Sequence, residues 1–163
     1  MCNYGCVLVQ EDVDVVAAAL LCGLALNEDV LRRLHERGHP ALRFSHGFLV
    51  QHLIERPVPV GELAERMGVT QQAASKAAAE LEALGYAERV ADPDDARVRR
   101  VRLSARGEEA VEATRAARAE VAAELAERLG ARRVETLRRS LLAALDAAGG
   151  MEAVRTRRVP ALR

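Results

Sequence analysis

From residue 13 onward apolar side chains recur at helical spacing, interrupted by glycines, prolines and a single stretch of strict alternation. Val13, Val16, Ala17, Leu20 and Leu24, followed by Val30, Leu31 and Leu34, form one apolar face that Gly38 and Pro40 stop. This spacing predicts a buried helix, or two if Asn27 caps a second one. A further helix is predicted from about Leu42 to Arg56, presenting Leu49, Val50 and Leu53 before Pro57 and Pro59 end it. Val60, Leu63, Ala64 and Met67 then follow i, i+3, i+4, i+7, with Gly68 where a left-handed C-terminal residue is needed. Thr70 suits the N-cap of the next helix, in which Ala74, Ala77, Ala78 and Leu81 repeat the pattern. Those positions face inward, so Gln71, Gln72, Ser75 and Lys76 are left facing outward in its first two turns.

After Gly85 the period falls to two. Tyr86 to Ala91 and Val98 to Leu103 read as short strands joined by a turn at Asp92 to Ala96, with Val101 and Leu103 on one face and Arg100 and Arg102 on the other. Ser104 can cap a long helix through Leu129, with Val121, Leu125 and Leu129 in register. Gly130 separates it from a last helix carrying Val134, Leu137, Leu141, Leu145 and Ala148. Two short helices about a tight turn, then a two-stranded wing, make residues 57–104 a winged helix-turn-helix, a unit that reads DNA through the start of its second helix.

Composition agrees with one mainly α domain. The 163 residues suit a single core, and although half are apolar, the aromatics are only two Phe and two Tyr, with no Trp. Ala-rich helix faces bury little area each, so burial between two subunits is an expected supplement. We divide the chain into an N-terminal helical dimerisation segment (11–41), the winged helix-turn-helix (42–103), C-terminal dimerisation helices (104–150) and a basic tail (151–163).

The formal net charge is zero, so no global field draws the chain to a polyanion. Locally the balance differs. From Arg89 to Arg106 six Arg (89, 97, 99, 100, 102, 106) stand against three Asp (92, 94, 95), a net of +3. Within the unit, Gln71 and Gln72 have the geometry to bond adenine edges, and Thr70 and Ser75 lie beside them. Lys76, Arg99 and Arg100 are candidate phosphate contacts; a solvated strand face is the alternative for the two arginines.

Other chemistry is sparse. Cys2, Cys6 and Cys22 are odd in number and confined to the first 22 residues, so they frame neither a disulfide set nor a metal site, and a reducing cytoplasm is expected. Cys22 is expected in the core, while a redox role for Cys2 or Cys6 stays open. His35 and His39 are four apart, but Gly38 and Pro40 interrupt their helix and no third ligand is evident, so no metal and no cofactor are expected. The apolar run Val13 to Leu26 contains Asp14 and is short of the ~18 residues of a membrane span, and no basic segment makes it a signal peptide. With no Gly-x-Ser-x-Gly, phosphate loop or paired carboxylates on a cleft, no enzyme is expected.

The wing segment Asp95-x-Arg97, five residues, Leu103-Ser104 resembles the Asp-x-Arg-x5-Leu-Thr signature of the MarR family of bacterial transcriptional regulators. Gly61-Glu62-Leu63-Ala64-Glu65-Arg66-Met67-Gly68-Val69-Thr70, Leu81-Glu82 and Gly85-Tyr86 are similar to that family's helix-turn-helix in order and spacing; the resemblance spans about residues 42–107. It implies a homodimer with interlocked terminal helices, a near-palindromic double-stranded DNA site, and often repression relieved by a small aromatic or phenolic ligand held between the dimer helices and the DNA-binding lobe. By the same resemblance Asp95 and Arg97 brace the wing, with a DNA contact by Arg97 as the alternative. Arg43, His46 and His52 are then effector-site candidates, offering a cation or hydrogen-bond donors among Leu and Val side chains. The chain departs from the family at Ala96, where many relatives carry an arginine for the minor groove, and at Ala77 and Ala78, where Leu and Val are common. Pro59 and Arg43 stand where a Thr cap is frequent. A thiol-switched regulator and a winged helix reused for protein binding are the alternative functions.

Overall fold

The computed structural model describes residues 13–93 and 98–150. Among these described residues six helices and three short strands follow one another as α1 (Val15–Glu36), α2 (His46–Leu53), β1 (Val58–Pro59), α3 (Val60–Met67), α4 (Gln71–Ala83), β2 (Ala87–Ala91), β3 (Arg99–Leu103), α5 (Ala105–Leu129) and α6 (Ala131–Ala147). The expected caps are in place. Thr70 Oγ1 accepts the Ala73 N–H at 3.2 Å and Ser104 Oγ the Gly107 N–H at 3.1 Å, each satisfying an orphan donor of its helix.

The sheet is antiparallel in the order β1-β3-β2, with Val58 opposite Val101 and Ala87 opposite Leu103. Strand β1 was not expected, because two residues ending in a proline carry no alternation to read; Pro59 is tolerated at this edge, where its missing N–H costs no ladder bond. Leu49, Leu63, Leu81, Tyr86, Val58 and Val101 are fully buried, so α2, α3 and α4 share one core with the root of the wing.

Four expectations need correction. α1 runs unbroken through Asn27, because Leu26 and Val30 on either side of it pack on Ala117 and Val121 of α5. Arg33 clamps the same contact, reaching Glu124 at 2.7 Å, and Arg37 reaches Glu120 at 2.6 Å. The helix expected from Leu42 begins only at His46, since Leu42, His46, Gly47 and Phe48 donate their N–H groups three residues back, to His39, Arg43, Phe44 and Ser45, as turns do. The run expected to be buried at the start of α1 is open: Val15, Val16, Leu20 and Leu24 are all more than half exposed, and the expected core residue Cys22 is exposed too. Finally, α6 buries nothing, and Leu129, expected in register on α5, is exposed with Leu137, Leu141 and Leu145. α1 and α6 thus carry apolar faces that the other described residues of one subunit do not cover.

No helix among the described residues is long and apolar enough to cross a membrane. At the junction of wing and α5, Ser104 Oγ donates to Gly85 O at 2.6 Å and Ser104 N to Tyr86 O at 3.1 Å. The first turn of α5 is drawn so close that a Cβ on Gly107 would stand 2.1 Å from the Tyr86 carbonyl oxygen. Only glycine fits there.

Candidate nucleic-acid interface and adjoining cavity

The turn between α3 and α4 sets the outward helix. Gly68 adopts φ 68°, ψ 32°, and Gly68 N and Val69 N donate to Glu65 O and Ala64 O, the paired bonds that end a helix in a left-handed glycine. α4 is then fixed by Ala74, Ala78 and Leu81, buried against the core. Its opposite face leaves Gln71, Gln72 and Lys76 exposed and Ser75 half-buried. Thr70 is exposed too, with its hydroxyl oxygen engaged as the cap.

Gln71, Gln72, Ser75 and Lys76, but not Thr70, line an open concavity together with Pro59, Val60 and Gly61 and, from the wing, Arg89, Val98 and Arg99. Lys76, Arg89 and Arg99 bring three positive charges to it, and no carboxylate among the described residues lines it. Arg99 is exposed and has no carboxylate partner among the described residues, whereas Arg89 Nε lies 2.9 Å from Glu82. Arg100, a candidate DNA contact, is turned instead to Asp92, which is buried at the root of the wing. Arg102 pairs with Glu88 across the strands at 2.6 Å. Asp95, Ala96 and Arg97, which carry the expected brace and the departure from the family pattern, lie outside the described residues.

A second concavity, a cavity of about 260 Å³, opens between α1, the segment from Leu42 through α2, and α5. Leu31, Leu34, Phe48, Val50 and Val111 give it apolar walls; Arg43, His46, Thr114, Arg115 and Arg118 give it polar groups. Two of the three expected effector residues are therefore here. His52 is not: it is buried but does not line this space. His46 is also buried, and its Nδ1 accepts the Arg43 N–H at 3.2 Å. The neutral ring then carries its proton on Nε2, which faces Glu80 Oε1 on α4 at 3.4 Å. Arg43 Nη2 grips the same Glu80 oxygen. Burial first, and the Arg43 charge second, hold the His46 pKa below its usual value, so the ring is neutral near pH 7.

The other histidine pair is used structurally. His35 Nε2 bonds Leu42 O at 2.8 Å, while His39 is buried with its ring 5.7 Å from that of Tyr86, whose ring Arg106 covers at 4.9 Å. Sequence reasoning missed Glu80, Asp92 and the α5 residues Thr114, Arg115 and Arg118. Glu80 meets Arg43 from 37 residues away, Asp92 meets Arg100 across a hairpin, and the three α5 residues reach the cavity only through tertiary packing, for which helix periodicity carries no signal.

Residues 44–98 match the family model described as MarR family. No curated protein sequence matches the chain. Among solved structures, RV1404 from Mycobacterium tuberculosis aligns with TM-score 0.71 and 22% identity, covering 87% of this chain and 98% of that one. FabT from Streptococcus pneumoniae, solved in complex with DNA, gives 0.62 and 16%, with 82% and 96% covered. The MarR family protein RV2887 from Mycobacterium tuberculosis, solved with salicylic acid, gives 0.57 and 24%, with 83% and 99% covered. These likenesses extend the shared fold over the flanking helices, while the match to the MarR family model is confined to the winged helix-turn-helix of residues 44–98.

Proposed function

We propose that the chain is a sequence-specific DNA-binding transcriptional regulator that acts as a homodimer, and that it is a repressor released by a small molecule. The observation that carries this is the concavity between α4 and the wing, lined among the described residues by three cations and no carboxylate, in a chain of zero net charge. Gln71 and Gln72, exposed in the first turn of α4, are placed to bond base edges; Lys76 and Arg99 are placed to meet phosphates. One such helix reads few base pairs, so a two-fold dimer with half-sites about 10 to 10.5 base pairs apart is the natural reader. The uncovered apolar faces of α1 and α6 supply the surface for it. Reading DNA in a bacterial cell places the protein in the cytoplasm.

The solved FabT–DNA complex and the salicylic acid complex of RV2887 support the two halves of this reading by analogy of fold. An effector in the cavity acts only by binding the two arrangements of the protein unequally. The exposed Cys22 keeps a thiol-switched alternative in view; release that survives Cys→Ser changes decides against it. A protein-binding winged helix would present an apolar patch on α4, where this chain presents Gln71, Gln72 and Lys76.

The test is a comparison of variants on the bound DNA. Gln71→Ala and Gln72→Ala are expected to relax base preference at defined positions. Arg99→Ala is expected to weaken all sequences alike and to lower the salt slope by about one unit. The reverse assignment would overturn the division between specifying and positioning residues.

A further inference from the structure

The cavity and the recognition helix meet at one carboxylate. Glu80 lies on α4 four residues beyond Lys76, and it is held from the cavity side by two residues that line that cavity, Arg43 and His46. The cavity itself is lined by three arginines, Arg43, Arg115 and Arg118, and by no carboxylate among the described residues. Arg115 is paired with Glu112 on its own helix, and Arg118 has no carboxylate partner among the described residues. A ligand that enters this space therefore meets apolar walls and unbalanced positive charge, and Arg43 is the one of these cations whose counter-ion belongs to the DNA-reading helix.

We propose that Glu80 is the residue through which α4 senses occupancy of the cavity: an anionic ligand takes Arg43 as its own counter-ion and so removes it from Glu80. This rests on the reading of the cavity as an effector site. A carboxylate-bearing aromatic compound suits both the apolar walls and the arginine fork, which grips a planar carboxylate through two N–H groups. With Arg43 withdrawn, α4 loses its charged tie to the segment that precedes α2 and keeps the His46 contact, the Glu82–Arg89 pair and the apolar packing of Ala74, Ala78 and Leu81. Arg43 and Glu80 are both substantially exposed, so the pair transmits a severalfold change in DNA affinity and not one of many orders of magnitude. Linkage makes the effect mutual: DNA, which favours the intact pair, weakens ligand binding by the same factor by which the ligand weakens DNA binding.

The experiment uses benzoate as the probe and benzamide as its uncharged control, with calorimetry reading binding to the full-length protein and fluorescence anisotropy reading a DNA site selected from a random pool. The wild type is expected to bind benzoate better than benzamide and to lose DNA affinity severalfold when benzoate is present. Glu80→Gln keeps the size of the side chain; it is expected to bind DNA severalfold more weakly without ligand, to bind benzoate more tightly than the wild type, and to lose most of the benzoate response. Arg43→Gln is expected to weaken benzoate binding, and combined with Glu80→Gln to cost no more DNA affinity than either change alone. A Glu80→Gln protein that binds benzoate as the wild type does and releases DNA by the same factor overturns the role of Glu80 while leaving the effector site standing. Absence of binding by either probe to the wild type overturns both.

Discussion

Arg100 Nε donates to the Asp92 carboxylate where the wing leaves the sheet, and the Asp92 side chain is 7% exposed. Asp92 follows the last residue of β2 and its N–H closes the hairpin onto Val98 O at 3.1 Å. The pair therefore fixes the root of the wing, and it commits an arginine that the sequence offered to DNA. Asp92→Asn keeps the volume and removes the charge. It is expected to lower unfolding stability by about 1–3 kcal/mol and to weaken DNA binding with it, measured by urea denaturation and anisotropy. Arg99→Ala, at an exposed position with no carboxylate partner among the described residues, is expected to weaken DNA binding with a stability change within about 0.5 kcal/mol. Equal stability losses in the two variants would show that Arg100 does not brace the wing.

The apolar faces at the two ends of the chain predict what holds the dimer. Leu20 on α1 is 62% exposed and Leu141 on α6 is 44% exposed in one subunit. Burying a leucine contributes about 1.5–3 kcal/mol, so a charged residue at either place removes a large share of a dimer interface. Leu20→Glu and Leu141→Glu are expected to sediment as monomers at micromolar concentration and to lose DNA binding together with dimerisation. Variants that stay dimeric would move the interface elsewhere.

Gly107 predicts a packing limit. An added methyl must displace the Tyr86 carbonyl, which stands 2.1 Å from its ideal position and also accepts the Ser104 N–H. Gly107→Ala is expected to cost at least about 1–3 kcal/mol despite the higher helix propensity of alanine. Unchanged thermal stability would mean that α5 can slide away from the wing at no cost.

Buried histidines predict a direction for pH. Burial first, then the Arg106 charge, push the His39 pKa below its usual value, and burial with Arg43 does the same for His46. The unfolded chain therefore binds more protons than the folded one below about pH 6.5, and stability present above that value is lost as pH falls toward the folded-state pKa values. Urea midpoints are expected to drop between pH 7.5 and pH 5.5. His39→Phe, which keeps a ring against Tyr86, is expected to flatten part of that slope and to leave the share belonging to His46. A slope unchanged in His39→Phe would contradict this assignment.

Much of this architecture was legible in the sequence, for a definite reason. The helix-turn-helix and both long C-terminal helices are specified locally: Thr70 and Ser104 cap, Gly68 ends, and the apolar positions repeat within one helix. The exterior of α1 was misread because periodicity shows that a face is apolar and says nothing of what covers it. Leu20 and Cys22 are buried in no single subunit. Arg43 and His46 were legible as polar groups in an apolar setting, but their hold on Glu80 depends on a contact 37 residues away. The pairing of Arg100 with Asp92 was hidden for the same reason: an alternating basic strand does not reveal which arginine a buried aspartate will claim.

The central claim is that α4 reads a defined DNA sequence twice, once from each subunit. Selection of bound duplexes from a random pool, read by sequencing, tests it most directly, with Gln71→Ala/Gln72→Ala selected in parallel. The wild type is expected to enrich a pseudo-palindrome whose half-site centres lie about 10 to 10.5 base pairs apart, and the double variant to lose preference at particular positions within each half-site. Enrichment of no sequence by the wild type, or an identical motif from both proteins, would contradict the account.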